Sequence, residues 1–135
     1  MADPGSGEFT MPRTRSGEAE ARETLGDIFP PGASGLLDRS MLLLSELFSG
    51  QREFGGGIDH DVGVKVGTAN GTVRVEVRDA GSGYVMDVLR QPSATGRRGW
   101  SPHLLSTVAD RWGLVSGDAG AWVWFELDYP EGEPS

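Results

Sequence analysis

Val73-Arg74-Val75-Glu76-Val77-Arg78-Asp79-Ala80-Gly81-Ser82-Gly83 alternates apolar and charged residues, then runs into an aspartate and two glycines. Period-two alternation predicts a strand with one face buried and one face wet. Val73, Val75 and Val77 form the first face, and Arg74, Glu76 and Arg78 the second. Immediately upstream, Val62, Val64 and Val66 repeat the alternation. Asn70-Gly71 separates the two runs, and that dipeptide suits a two-residue hairpin turn because both central residues need positive φ. Downstream, Leu114-Val115, the turn Gly117-Asp118-Ala119-Gly120 and Ala121 to Tyr129 read as a closing antiparallel pair.

Three helical segments surround these strands. Ser16 is placed to cap a first helix, with Glu18 and Glu20 near its positive end, and Pro30-Pro31-Gly32 stops it after about Ile28. Ser34 or Gly35 opens a second, in which Leu37, Met41, Leu44, Leu47 and Phe48 form an apolar stripe with Glu46 at its margin. Gly55-Gly56-Gly57 then breaks the chain. Ser101 and Pro102 suit the N-cap and first position of a third helix, with Leu104, Leu105, Val108 and Trp112 on its buried face. Tyr84-Val85-Met86-Asp87-Val88-Leu89 is apolar enough for a helix or strand of its own. Helices mixed with mostly antiparallel strands predict an α+β two-layer sandwich, its sheet covered on one face by helices.

Composition narrows the function. With 135 residues, 37% of them hydrophobic, one globular domain is expected. The absence of cysteine excludes disulfides, cysteine nucleophiles and thiolate metal sites, and leaves the cytoplasm as the expected compartment. A net charge of −8 argues against nucleic acid as a partner, which would demand a basic face. No apolar run approaches a membrane span. Residues 1–10 read as a vector-derived leader ahead of a start near Met11, residues 11–129 as the single domain, and residues 130–135 as an acidic tail.

Chemistry concentrates at three places. Asp79 at the strand's end is an acceptor-only carboxylate able to take a hydrogen bond from an exocyclic amine, and Gly81 and Gly83 would let backbone approach a ligand. An ordinary turn accounts for the same residues. The other two places are Leu42-Leu43-Leu44-Ser45-Glu46-Leu47-Phe48-Ser49-Gly50 and Gly96-Arg97-Arg98-Gly99-Trp100-Ser101-Pro102-His103-Leu104-Leu105, the latter leading to Val108-Ala109-Asp110-Arg111-Trp112-Gly113. Asp59-His60-Asp61 reads as a polar turn, because adjacent residues rarely converge on one metal ion. His103 reads as a packing or capping residue, and Trp112, Trp122 and Trp124 as core or partner-facing surface.

In this order the segments resemble the N-box and the two glycine boxes of the GHKL ATPase superfamily, and are most similar to its anti-sigma-factor serine-kinase branch. The resemblance spans roughly Ala19 to Asp128. It implies the Bergerat-type ATP-binding sandwich, ATP or ADP as ligand, and nucleotide contacts from Asp79, Gly81, Gly83, Gly96 and Gly99. It implies Glu46 as catalytic base and a Mg²⁺-binding asparagine four residues later, where this chain has Gly50. At the second glycine box Ser101 replaces a glycine and Pro102 lacks an N–H. Arg97 and Arg98 could compensate in charge, or form a solvated loop. Two readings follow. One is a regulatory binding module with weak or no nucleotide dependence and no Mg²⁺ site. The other is an active serine protein kinase that phosphorylates an anti-anti-sigma partner with ATP and Mg²⁺. The partners implied are a sigma factor or an anti-anti-sigma-like protein, with a second copy of the chain as a further candidate. The family's usual opening strand has little sequence left to form it after the leader is set aside.

Overall fold

A computed structural model of the chain describes residues 6–29, 32–54, 61–78, 100–117 and 120–129. In chain order they form β1 (Gly7–Pro12), α1 (Arg15–Ile28), α2 (Ser34–Phe54), β2 (Asp61–Ala69), β3 (Thr72–Arg78), α3 (Trp100–Val108), β4 (Arg111–Gly117) and β5 (Gly120–Asp128). The strands make one antiparallel sheet in the order β1-β2-β3-β5-β4. The expected α+β sandwich is the observed architecture.

Alternation decides which face of the sheet is covered. Val62, Val64 and Val66 of β2, Val73, Val75 and Val77 of β3, and Val123, Phe125 and Leu127 of β5 are all buried. Cross-strand pairing lines them up, for example Phe9, Val64, Val77, Val123 and Leu114 across all five strands. Against this surface α2 sets Leu36, Leu43, Leu44, Leu47 and Phe48, and α3 sets Leu104 and Leu105. Burying each such side chain contributes about 1.5–3 kcal/mol before conformational entropy is counted. The hairpin is the one the sequence predicts: Asn70 has φ 53° and Gly71 φ 79°, which matches the twist of paired strands.

Three local expectations are corrected. Thr14, not Ser16, caps α1, its Oγ1 accepting from the Gly17 N–H at 3.0 Å. The end of β1 fixes this: a Cβ on Gly17 would lie 1.8 Å from the Pro12 carbonyl oxygen, so strand and helix meet at a glycine. α3 begins at Trp100, which puts Ser101 inside it rather than at its cap. Pro102 stays in the first turn, where its missing N–H would have had no helical acceptor. Trp112 belongs to β4, not to the third helix, because the helix stops at Val108 and the chain turns through Ala109 and Asp110. Its ring packs on the core from the strand, and its Nε1–H donates to Ser106 Oγ at 3.1 Å.

The opening strand, for which little sequence was expected, lies in and just after the stretch read as a leader. Gly7 to Thr10, set aside as vector-derived, pair with Val66 to Gly63 of β2 and supply the opening strand. Phe9 and Met11 point to the core while Glu8 and Thr10 point outward, so this short stretch has the alternation a sheet edge demands. Gly55-Gly56-Gly57, Tyr84 to Leu89, Asp118-Ala119 and the acidic tail lie outside the described residues.

Phe125 is fully buried at the centre of the sheet, whereas Leu42 on α2 is half exposed. Phe125→Ala is expected to lower unfolding free energy by about 3–5 kcal/mol, and Leu42→Ala by no more than about 0.5–1 kcal/mol. Urea titration followed by far-ultraviolet circular dichroism checks both; equal losses would contradict the burial pattern.

Candidate functional site

Three helices lie side by side over the sheet. α1 packs on β1, α2 on β3 and α3 on β4, with α2 touching both of its neighbours. The flank of α2 that meets α1 carries Met41, Ser45 and Arg52. Met41 Cε is 3.6 Å from the Cβ position of Gly26, the Arg22 guanidinium donates to Ser45 Oγ at 3.1 Å, and Arg52 pairs with Glu18 at 2.6 Å. Each residue turns a helix by about 100°. Glu46 and Gly50 therefore share the other flank of α2, the one turned towards α3. Glu46 is half-buried there and Gly50 is buried.

The last turns of α2 sit at a defined end of the sandwich. Arg13, buried just past β1, donates from its guanidinium to the Gln51 carbonyl at 3.1 Å. Pro12 pairs with Asp61 where β2 begins, and Gly63 with Arg78 where β3 ends. At the opposite end, the Asp110 N–H meets the Glu126 carbonyl at 2.9 Å just after α3 stops. α3, about 13 Å long, thus begins nearer the end where β3 exits. The end of α2, the start of β2 and the exit of β3 lie at the same end.

Of the residues singled out in the sequence, Glu46 and Gly50 belong to this arrangement. Asp79, Gly81, Gly83, Gly96 and Gly99 lie outside the described residues, as do His60, Arg97 and Arg98. His103 is exposed on α3, and Pro102 is buried in its first turn. α2 continues without a break through Gly50 to Phe54. Ser49 and Gln51 accordingly project about 100° to either side of Gly50, and Gln51 is fully buried. Neither brings an oxygen to the Gly50 direction. Mg²⁺ requires near-octahedral oxygen ligation, so the residues on this flank do not fit the metal position that the resemblance implies. Among the described residues no three His, Asp or Glu side chains are grouped to hold a metal ion.

Sequence reading missed Arg13 and the ion-pair cluster behind the flank. Glu18 bridges Arg22 at 2.8 Å and Arg52 at 2.6 Å, joining α1 to the end of α2. The Glu18–Arg22 spacing is a visible helical i,i+4 pair; the link from Arg13 to Gln51 spans 38 residues and has no local signature.

No protein-family model matches the chain, and no curated protein matches it. No helix among the described residues is long and apolar enough to cross a membrane.

Arg13→Ala is expected to cost about 1–3 kcal/mol, because it leaves the Gln51 carbonyl without its buried guanidinium donor. Urea unfolding of the full chain measures this, and a loss under about 0.5 kcal/mol would show that the contact holds nothing.

Proposed function

We propose that the chain is a regulatory protein-binding domain of GHKL-like design, acting through contact with a signalling or transcriptional partner rather than by phosphoryl transfer. The observation that carries this reading is Gly50, buried in unbroken helix one turn after Glu46. A kinase of this design needs a metal-ligating oxygen in that direction, and α2 offers none. Phosphoryl transfer depends on positioning and charge stabilisation, with little covalent chemistry left for the protein. Losing one stabilising donor typically costs about a hundred- to a thousandfold in rate. Pro102, without an N–H in the first turn of α3, removes a second donor from a helix start that would otherwise face phosphate.

The partner proposed is a sigma factor or an anti-anti-sigma-like protein in the cytoplasm, and any adenine nucleotide binds weakly with little help from Mg²⁺. One observation favours the competing reading of an active serine kinase: Glu46 survives, half-buried, on the flank turned to α3. Its carboxylate could accept a proton from an attacking hydroxyl. It has no charge-stabilising group one turn on, so base catalysis alone would leave the developing phosphate charge unmatched.

Labelled-ATP transfer separates the two. With a partner recovered by affinity capture, wild type is expected to transfer no label above background, and partner binding is expected to survive Glu46→Ala. Gly50→Asn restores a side-chain oxygen at the right helical position, and a gain of transfer confined to that variant supports the reading. Robust, Mg²⁺-dependent transfer by wild type overturns it.

A further inference from the structure

The face of the sheet away from the helices carries long side chains of two kinds. Arg74 and Arg111 are already engaged. Arg74 pairs with Glu76 at 3.0 Å and Glu126 at 3.1 Å, and its guanidinium carbon lies 4.3 Å from the centre of the Trp124 ring. Arg111 pairs with Glu126 and Asp128, and its hydrogen bonds hold both carboxyls below their usual range. Trp124 is seated as well, its indole lying where a Cβ on Gly113 would come within 2.7 Å.

Arg78, Lys65 and Trp122 are different. Arg78 and Lys65 make no ion pair with any described residue, and no cation of a described residue covers the Trp122 ring. Trp122 stands directly across from Arg78, and Arg78 directly across from Gly63. A Cβ at Gly63 would lie 3.2 Å from the guanidinium, so the glycine is what allows Arg78 to lie along the sheet. The three side chains border a cleft of about 270 Å³, with Glu8, Thr10 and Glu76 completing its rim.

We propose that this cleft binds a small planar aromatic carboxylate, its ring on Trp122 and its carboxylate on Arg78 with Lys65 alongside. A flat ring matches the half-buried indole that lines the cleft, and a guanidinium recognises a carboxylate through two parallel hydrogen bonds. A single carboxylate suits the two cations better than a dianion, because Glu8 and Glu76 border the same cleft. Arg74 is shared between Glu76 and Glu126, so the lining sets Arg78 and Lys65 against Glu8 and Glu76 and is balanced in charge; an anion is drawn to the two cations because neither has an ion pair with a described residue. The volume lies just under the usual small-molecule range and suits one or two fused rings. This site is on the opposite face of the sheet from Glu46 and Gly50, so it stands or falls independently of the proposed function. The groups that recognise the ligand come from β2, β3 and β5, while β1 only closes the rim.

Nuclear magnetic resonance titration of the ¹⁵N-labelled full chain tests this, with 2-naphthoate as probe and neutral 2-naphthamide as its control. Naphthoate is expected to shift the Trp122 indole N–H and the amides of Gly63 and Arg78, and to bind about tenfold or more tightly than the amide. Arg78→Gln, an exposed substitution that leaves the core intact, is expected to weaken naphthoate by about tenfold without moving the signals of Val75 or Phe125. Trp122→Leu should weaken both probes alike. Absence of shifts at the cleft, equal affinity for acid and amide, or unchanged affinity in Arg78→Gln would each overturn the proposal.

Discussion

β3 is paired on both edges and packed on one face only, and everything else in the domain follows from where its three valines point. Val73, Val75 and Val77 are fully buried beneath α2, while Arg74, Glu76 and Arg78 emerge on the bare face of the sheet. A slip of one residue would exchange the two sets and bury three charged side chains. Register is therefore fixed by desolvation. With β3 fixed, the Asn70-Gly71 turn sets β2, the cross-strand rows set β5, and the exit of the strand at Arg78 is held at the end of the sandwich where α2 finishes.

The same constraint gives the sheet two unlike faces. Helices cover the aliphatic side, burying the valines of β2 and β3, and α2 carries Glu46 and Gly50 on the flank turned away from α1. On the other side Arg78 lies across Gly63 and Trp124 across Gly113, where a Cβ would crowd the side chain. The two proposals therefore concern separate surfaces: a helix-lined end and an aromatic, mixed-charge sheet face.

Much of this was legible in the sequence where the cause is local. The alternation in Val62 to Val66 and Val73 to Val77, the Asn70-Gly71 turn and the stripe on α2 specify elements from residues a few positions apart. The misses have non-local causes. Thr14 caps α1 because β1 ends against Gly17, a contact between elements that no cap preference encodes. Trp112 fits a helical period from Leu105 and Val108, but hydrogen bonds from Asp110 to β5 turn the chain into a strand first. β1 was set aside because its first residues look like a leader, yet alternation in Glu8 to Met11 suffices once an edge of β2 is open to it. At the candidate site, the missing oxygen at Gly50 was readable from helical spacing alone. Its burial and the continuity of α2 through it were not, since these belong to the packed fold, in which Arg13 and Glu18 hold the last turns of α2 from 38 and 34 residues away. The parity of Trp122 and Trp124 against Val123, Phe125 and Leu127 was a signal for the bare face that sequence reading left between core and surface.

The proposed function rests on Gly50, which stands in unbroken α2 where a kinase of GHKL-like design would need a metal-ligating oxygen. Isothermal titration calorimetry of the full chain with ATP, run with and without Mg²⁺, tests it most directly. The account predicts weak heats or none, with an affinity that changes less than about threefold when Mg²⁺ is added, well under the tenfold that 1.4 kcal/mol would give. Tight ATP binding that collapses when Mg²⁺ is removed would contradict it.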